Sequence, residues 1–596
     1  MIRQAKKMSN PLIDTLNIIK SHTMCLSKSI GATRIHLLFG FMLFVVVPSL
    51  QVDAQEQWEK EGEGEIKDVE IEIIKDRQIT LPRANRNFEK VPPRPFETIQ
   101  PAITYEFKNF RFVTPEYNPL IRPLKLKQED LTRIYGNYLS AGVGNYASFF
   151  LEGSLTTKRD KNKFLGAHVV TRNFGKGPVD EKNSGSSNTL VQVFGKSTGK
   201  SITLSGDANY ENRGTYFYGY NPVAEVNRDI IRQTYGILGI NGGIQNTKTG
   251  DFSYSLKGGY SYLSDHYRAT EGETSVAFNS TFKLTEKSNF ILNADYFLIN
   301  RKDSLISSTV RHLFRVRPYY QFSPVEKLLV TGGVNLALQN DQYDGSKDFH
   351  AYPHVKAQYT ASPSMEFYGV VTGDIDKVNL HTLASENLWI NSNIPIYHTN
   401  RALEFQAGLK GKIGRRVAVG AGVSIASLKN YYYYLNVREN FYSSGNLIGA
   451  VDKFNIVYDK NTQRINPFAE ISYAHGEAFT LGVRGDYYDY DTDVLLDAWH
   501  RPTYRVGINS RYNLFEKISI DASFIAQGGM KAFDPTSNEV VTLKEALDLN
   551  LKGRYFFSKQ FSAFLQFNNM LSNNYPLFLS YPVRGFQVMG GVSWSF

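Results

Sequence analysis

From Tyr135 to the end of the chain, apolar and polar residues alternate with a period of two in run after run. Phe252, Tyr254, Leu256, Tyr260 and Tyr262 interleave with Ser253, Ser255, Lys257 and Ser261. Phe290, Leu292, Ala294, Tyr296 and Leu298 do so with Asn293 and Asp295, and Val417, Val419, Ala421, Val423 and Ile425 with Ala418, Gly420, Gly422 and Ser424. Phe479, Leu481, Val483 and Tyr487 alternate with Thr480, Gly482, Arg484 and Asp486, and Ile518, Ile520, Ala522 and Phe524 with Ser519, Asp521 and Ser523. Successive strand side chains point to opposite faces, so each run predicts a strand with one apolar and one polar face. The runs are about ten residues long, enough for a tilted strand to cross a bilayer. In the last run, Phe586, Val588, Val592, Trp594 and Phe596 share one parity, while Gln587, Met589, Gly591, Ser593 and Ser595 take the other. Chain ends are usually frayed and polar, but this one finishes on an aromatic inside an apolar-faced strand. An unpaired strand edge is too costly in lipid. The final strand is therefore expected to pair with the one near Tyr138–Gly144 and close a barrel.

The connections alternate between two kinds. Tight polar turns fall at Asp160–Lys163, Ser197–Lys200, Asn246–Asp251, Thr285–Ser288, Ser323–Glu326, Ala361–Ser364, Lys412–Arg415, His475–Glu477, Asn513–Glu516 and Ser558–Gln560. Longer loops separate them, among them Gly175–Ser187, Gly214–Asn227, Asp341–His350, Asp376–His398, Asn436–Gln463, Asp491–Arg501, Gly528–Val541 and Leu571–Arg584. Short turns at one end and long loops at the other are how outer-membrane barrels are wired. Those turns separate eleven hairpins. The fold class expected is all-β: a large antiparallel transmembrane β-barrel of about 22 strands, or 18–20 if a hairpin or two is misassigned. A soluble sandwich or propeller also alternates, but its outer surface rarely carries so much Tyr and Phe.

Composition fits a barrel whose strands are only half apolar. The chain has 37 Tyr, 39 Phe and 47 Gly and a mean hydropathy of −0.32. Residues 1–54 read as a removable targeting segment, with a basic region to Arg34, an apolar run Ile35–Leu50 and the small-x-small Val52-Asp53-Ala54. That segment holds six Lys/Arg and two Asp, so of the +10 total the mature chain keeps about +6. The excess is spread along the chain and leaves no nucleic-acid footprint. The only cysteine, Cys25, lies in the targeting segment, so the mature chain has no disulfide or thiolate metal site. Residues 55–134 differ again: Val69–Ile74 alternates briefly, then Pro82, Pro92, Pro93, Pro95 and Pro101 favour extended backbone. They are expected to form a short extended periplasmic or lumenal arm, with a disordered linker as the other reading. The barrel is then 135–596.

Chemistry-bearing motifs are few. No phosphate-binding glycine loop and no Cys/His metal spacing appears, so neither a cofactor nor catalysis is expected. Asp491, Asp493, Asp497 and His500 cluster in one loop after Tyr487, Tyr488 and Tyr490. Asp491, Asp493 and Asp497 are candidate oxygen ligands for Ca²⁺, set against a merely solvated acidic loop. Tyr431, Tyr432, Tyr433 and Tyr434 continue a strand that starts near Arg416, two on each face. They read as part of an aromatic girdle or, for the inward pair, as a stacking surface for a ligand. Trp389 and Trp499 sit in long loops as candidate recognition anchors or girdle residues. Inward-facing polar positions include Asp295, Arg484, Asp486, Asp521 and Asn568.

One stretch carries a family resemblance. Phe567-Asn568-Asn569-Met570-Leu571-Ser572-Asn573-Asn574-Tyr575-Pro576, then Tyr581-Pro582-Val583-Arg584-Gly585 and the final strand, resembles the end of TonB-dependent outer-membrane receptors. The turn style of Tyr512-Asn513-Leu514-Phe515-Glu516-Lys517-Ile518 is also similar. Val583 departs from the usual Pro-Gly-Arg. The resemblance implies a barrel of 22 strands in the outer membrane of a Gram-negative bacterium. It implies a C-terminal signal at Trp594 and Phe596 read by the barrel-assembly machinery. It also implies a large N-terminal plug, yet only about eighty residues separate the targeting segment from the first strand, without an evident compact core. The expected function is binding or transport of a solute across the outer membrane. The alternative is a structural or assembly barrel that anchors a periplasmic or outer-membrane protein partner.

Overall fold

The computed structural model describes residues 135–596, apart from 158–159, 161, 221–225, 249, 305–307, 344–345 and 444–445. The targeting segment, the arm 55–134 and Val69–Ile74 lie outside the described residues.

Every strand of the main sheet pairs antiparallel with its neighbours in sequence, from Tyr138–Gly144 to Gln587–Ser595. The first and last strands pair with each other, Tyr138 opposite Ser595 and Gly144 opposite Met589, so the sheet closes where the alternation pattern places the seam. The sheet has 23 segments, but Phe479–Tyr487 and Asp489–Thr492 are one strand broken at Tyr488, and the barrel has 22 strands. All ten short turns form at the sequence positions expected, at the end where the termini meet.

The two faces behave as parity dictates. Val592 and Trp594 on the closing strand, and Leu139 opposite Trp594, stand exposed on the outer wall, part of a belt of aliphatic and aromatic side chains suited to lipid. Between them Ser140 and Ser593 point inward, buried, with their hydroxyls 2.9 Å apart. At Gly591 any Cβ would collide with the Ala141 carbonyl and the inward-lying Phe564 ring. Only glycine lets the seam strands pass beneath that ring.

One expected loop is not a loop. Asn436–Gln463 forms the upper part of a hairpin whose strands, Val417–Ser443 and Asn446–His475, have 27 and 30 residues. A strand of about ten residues suffices to cross the membrane, so most of this hairpin stands beyond it. Over Tyr431–Asn436 its side chains are covered on both faces, which erases the polar–apolar alternation that marks a membrane strand. The main hydrophobic core therefore does not fill the barrel. It lies at the loop end, where side chains from loops 217–231, 377–398 and 569–586 meet the long hairpin.

Candidate functional site

The loop end is a packed cap. Within loop 377–398 a short helix, Leu380–Glu386, starts at Asn379, whose side chain accepts from the Thr382 amide at 2.8 Å. The Glu271 carboxylate accepts the Leu380 and His381 amides at 2.8 and 3.1 Å, satisfying helix-end donors that burial would otherwise leave unpaired. Leu380, Leu383 and Ala384 point into the core beside Trp389, Ile390 and Ile394. From the other side the last loop inserts a small hairpin, Pro576–Phe578 with Tyr581–Pro582. Tyr581 is fully buried; its ring stacks on Trp389 at 4.3 Å, and its hydroxyl donates to the Asp452 carbonyl of the long hairpin. Phe578 contacts Tyr434, Phe454 and His500 at ring separations of 5.5, 5.2 and 5.3 Å. Large aromatic area buried across three separate loops makes Phe578 and Tyr581 the centre of the closure.

The tyrosine run is built into this cap. Tyr432, Tyr433 and Tyr434 are buried, so none of the three is a membrane-girdle residue. The strand does send them to alternate faces. Tyr432 and Tyr434 join the main core and donate to Glu386 at 2.5 and 2.9 Å. Tyr433, with Tyr431 packed against it, enters a second cluster with Leu495 and Trp499. The Arg501 guanidinium bridges the two, 5.0 Å from the Tyr431 and Tyr432 ring centres. Trp389 and Trp499 are likewise interior, at 7% and 1% exposure, and not surface anchors. The candidate cation ligands do not converge: no cluster of three metal-binding side chains occurs among the described residues, and Asp497 pairs with Lys531 at 2.6 Å. The carboxylate that organises that loop is Asp459, which accepts the amides of Asp493, Val494 and Leu495 at 3.1, 2.7 and 3.1 Å.

Within and beneath the cap, charge is paired. Arg311 grips Asp341 through two bonds of 2.6 and 2.7 Å and donates to His398 Nδ1 at 2.9 Å; both partners of this ion pair are buried. Burial alone would raise the Asp341 carboxyl, but the Arg311 bonds outweigh it and hold it below the usual value. The His398 ring is pushed down to about 3, first by burial and then by the neighbouring Arg311 charge. His500 is lowered to about 4, chiefly by burial, while its Nδ1 donates to the Tyr434 carbonyl at 2.8 Å. Along the inner wall Arg315, Asp295, Arg317 and Asp374 form a chain with links of 2.6, 2.6 and 2.7 Å. Nearer the turns, Arg484 bonds Glu470 and Asp486 at 2.9 Å each, and Arg511 bonds Asp521 at 2.6 Å. Two adjoining cavities of about 850 and 740 Å³ open along this part of the wall.

Sequence reasoning placed Asp295, Arg484, Asp486 and Asp521 on the inner face, and the structure finds each in an ion pair. It missed Glu271, Asp341, His398, Asp452 and Tyr581. Partners such as Leu380 for Glu271, Arg311 for His398 and Asp452 for Tyr581 lie 87 to 129 residues away, and no local pattern marks them.

No family model and no curated protein matches the sequence. Solved structures do match. The FrpB iron transporter from Neisseria meningitidis aligns with a TM-score of 0.61 at 11% identity, over 78% of this chain and 82% of that one. A ferric enterobactin receptor (PfeA) mutant from Pseudomonas aeruginosa gives 0.56 at 10%, over 77% and 80%. FpvA of P. aeruginosa, bound to heterologous pyoverdines, gives 0.58 at 10%, over 78% and 72%. At these identities the likeness is one of fold. The chain shares with these structures the fold of a large closed β-barrel, here of 22 strands.

Proposed function

We propose that this barrel binds and passes a solute across the outer membrane, with its outer mouth closed by its own loops. The supporting observation is the pairing of a dry aromatic cap, centred on Phe578 and Tyr581, with a wet, charge-lined lumen beneath it. A 22-stranded barrel encloses a wide interior, and a closure made of loops can open where a continuous wall cannot. The fold shared with an iron transporter and a ferric enterobactin receptor agrees with this reading. In it the tyrosines and tryptophans Tyr431–Tyr434, Trp389 and Trp499 serve the gate, and no step requires catalysis or a cofactor.

Planar-bilayer conductance tests the proposal, using the mature chain and the double variant Phe578→Ala/Tyr581→Ala, each with and without residues 55–134. The variant should open far more often than the native protein. A heat-modifiable double variant that conducts in neither form would overturn the transport reading. One observation favours the partner alternative: Val494, Leu496, Leu571 and Leu577 in the outer loops are 41–51% exposed. Affinity purification from gently solubilised membranes addresses it, and recovery of the barrel alone removes that alternative.

A further inference from the structure

Two cavities meet on the inner wall between the strands Asn446–His475 and Ala546–Phe556. Strand register aligns Ser472, Gly482, Asn509, Ser523 and Asn550 in one row across five adjacent strands. At about 4.8 Å per strand the row runs for about 19 Å. The two cavities share Ser472, Gly482 and Asn509, and the second continues to Ser523 and Asn550. Nothing would approach a Cβ at Gly482, so the floor there is open rather than packed.

The side chains of this row are unspent. Ser472, Asn509 and Ser523 make no side-chain hydrogen bond among the described residues, and Asn550 uses only its carbonyl oxygen, on the Asn569 amide at 3.1 Å. Two of the arginines that flank the row are committed instead: Arg484 to Glu470 and Asp486, and Arg511 to Asp521. A guanidinium already held by carboxylates offers a second anion little. Along the row itself a ligand meets amides and hydroxyls, able to donate and accept, at every position but Gly482. Such a surface selects hydroxyl-bearing ligands, because an analogue lacking them leaves the wall groups unpaired. It offers an apolar aromatic ligand few contacts.

We propose that this row binds a neutral, hydroxyl-rich solute of the oligosaccharide class, lying across the strands. The inference rests on reading the barrel as a solute-binding protein. Lys410, Lys412, Arg505 and Lys552 also line the cavities and make no ion pair among the described residues, so an acidic oligosaccharide is the rival ligand.

Calorimetric titration of the purified mature chain with maltohexaose, and separately with oligogalacturonate, provides the test. Maltohexaose should bind saturably, and Asn509→Ala/Ser523→Ala should weaken it about tenfold, the loss expected for one or two hydrogen bonds. Asn293→Ala, on another sector of the inner wall, should leave binding unchanged. No saturable heat at millimolar maltohexaose, or binding indifferent to the double variant, overturns the site. Tighter or exclusive binding of oligogalacturonate overturns the neutral class. Conductance without saccharide binding would sink this inference and spare the transport reading; binding without conductance would do the reverse.

Discussion

The cap and the groove share the strand Asn446–His475, yet they settle their polar groups in opposite ways. In the cap nearly every buried carboxylate has a partner from elsewhere in the chain: Glu271 with helix amides, Asp459 with loop amides, Asp341 with Arg311. Burial leaves no water to do that work, and an unmet group there costs about 1–3 kcal/mol. In the groove the opposite holds. Side chains such as Asn509 and Ser523 face water and need no partner, so their capacity is available to something that enters. The difference separates a closure, which must be internally complete, from a binding surface, which must not be.

Both regions depend on the seam, so the largest effect comes from breaking it. Deleting Trp594–Phe596 removes the pairs Tyr138–Ser595 and Leu139–Trp594. It also removes the two backbone bonds between Asn137 and Phe596. An open edge in lipid is prohibitive, and the proposed assembly signal goes with it. The expected result is no stably inserted, heat-modifiable barrel. A normal heat-modifiable band in the outer membrane after truncation contradicts this.

A smaller and more local effect separates the regions. Arg311→Met leaves the buried Asp341 carboxylate without its cation, a change that costs about 3–5 kcal/mol when one partner of a buried pair is lost. Arg511→Gln breaks a pair whose partners are 62% and 38% exposed, worth about 0–1 kcal/mol. Hydrogen exchange in loop 377–398 should therefore accelerate strongly in the first variant and hardly at all in the second. Equal protection in both would erase the proposed distinction.

The groove was more legible in the sequence than the cap, for a physical reason. A lumen wall obeys parity: one face meets lipid and the other water, so Asp486 or Asp521 can be assigned from its neighbours alone. The turns are equally local, since clusters such as Asn513–Glu516 interrupt the alternation by themselves. Above the membrane the rule fails. Over Tyr431–Asn436 both faces are covered, Tyr432 and Tyr434 by loop 377–398 and Tyr433 by the Trp499 loop. Alternation gives the faces of the tyrosine run but not what covers them. The same loss of contrast makes Asn436–Gln463 read as a loop. Contacts such as Tyr581 with Asp452 are set by the closed barrel bringing distant loops together, which no local window contains.

The gentlest perturbation is acid, and it should act on the cap first. His398 Nδ1 accepts from Arg311 and from the Val378 amide at 2.9 and 3.1 Å, so a proton there would face two donors. Asp341 accepts the His398 backbone amide, but it is already neutralised by Arg311, while Arg315 and Lys377 add to the opposing positive field. His500 Nε2 faces the Leu579 amide at 3.4 Å, with Arg501 the nearby charge. Both rings are therefore neutral in the closed cap and titrate near 6.5 once exposed. A folded value below the unfolded one means that the stabilisation is complete above about 6.5 and drains away as pH falls toward the folded values of about 3 and 4. At pH 5.5 the loss is about 1.4 kcal/mol for each ring that opening exposes. Asp341 adds nothing in this interval, because its carboxyl, held below 3.8, is ionised in both states. Between pH 7.5 and 5.5, emission from Trp389 and Trp499 should shift to the red and single-channel openings should become more frequent. Replacing both histidines with glutamine should flatten that pH response while leaving saccharide binding by the groove intact. An unchanged response in the double variant would mean that the histidines do not set the acid sensitivity of the cap.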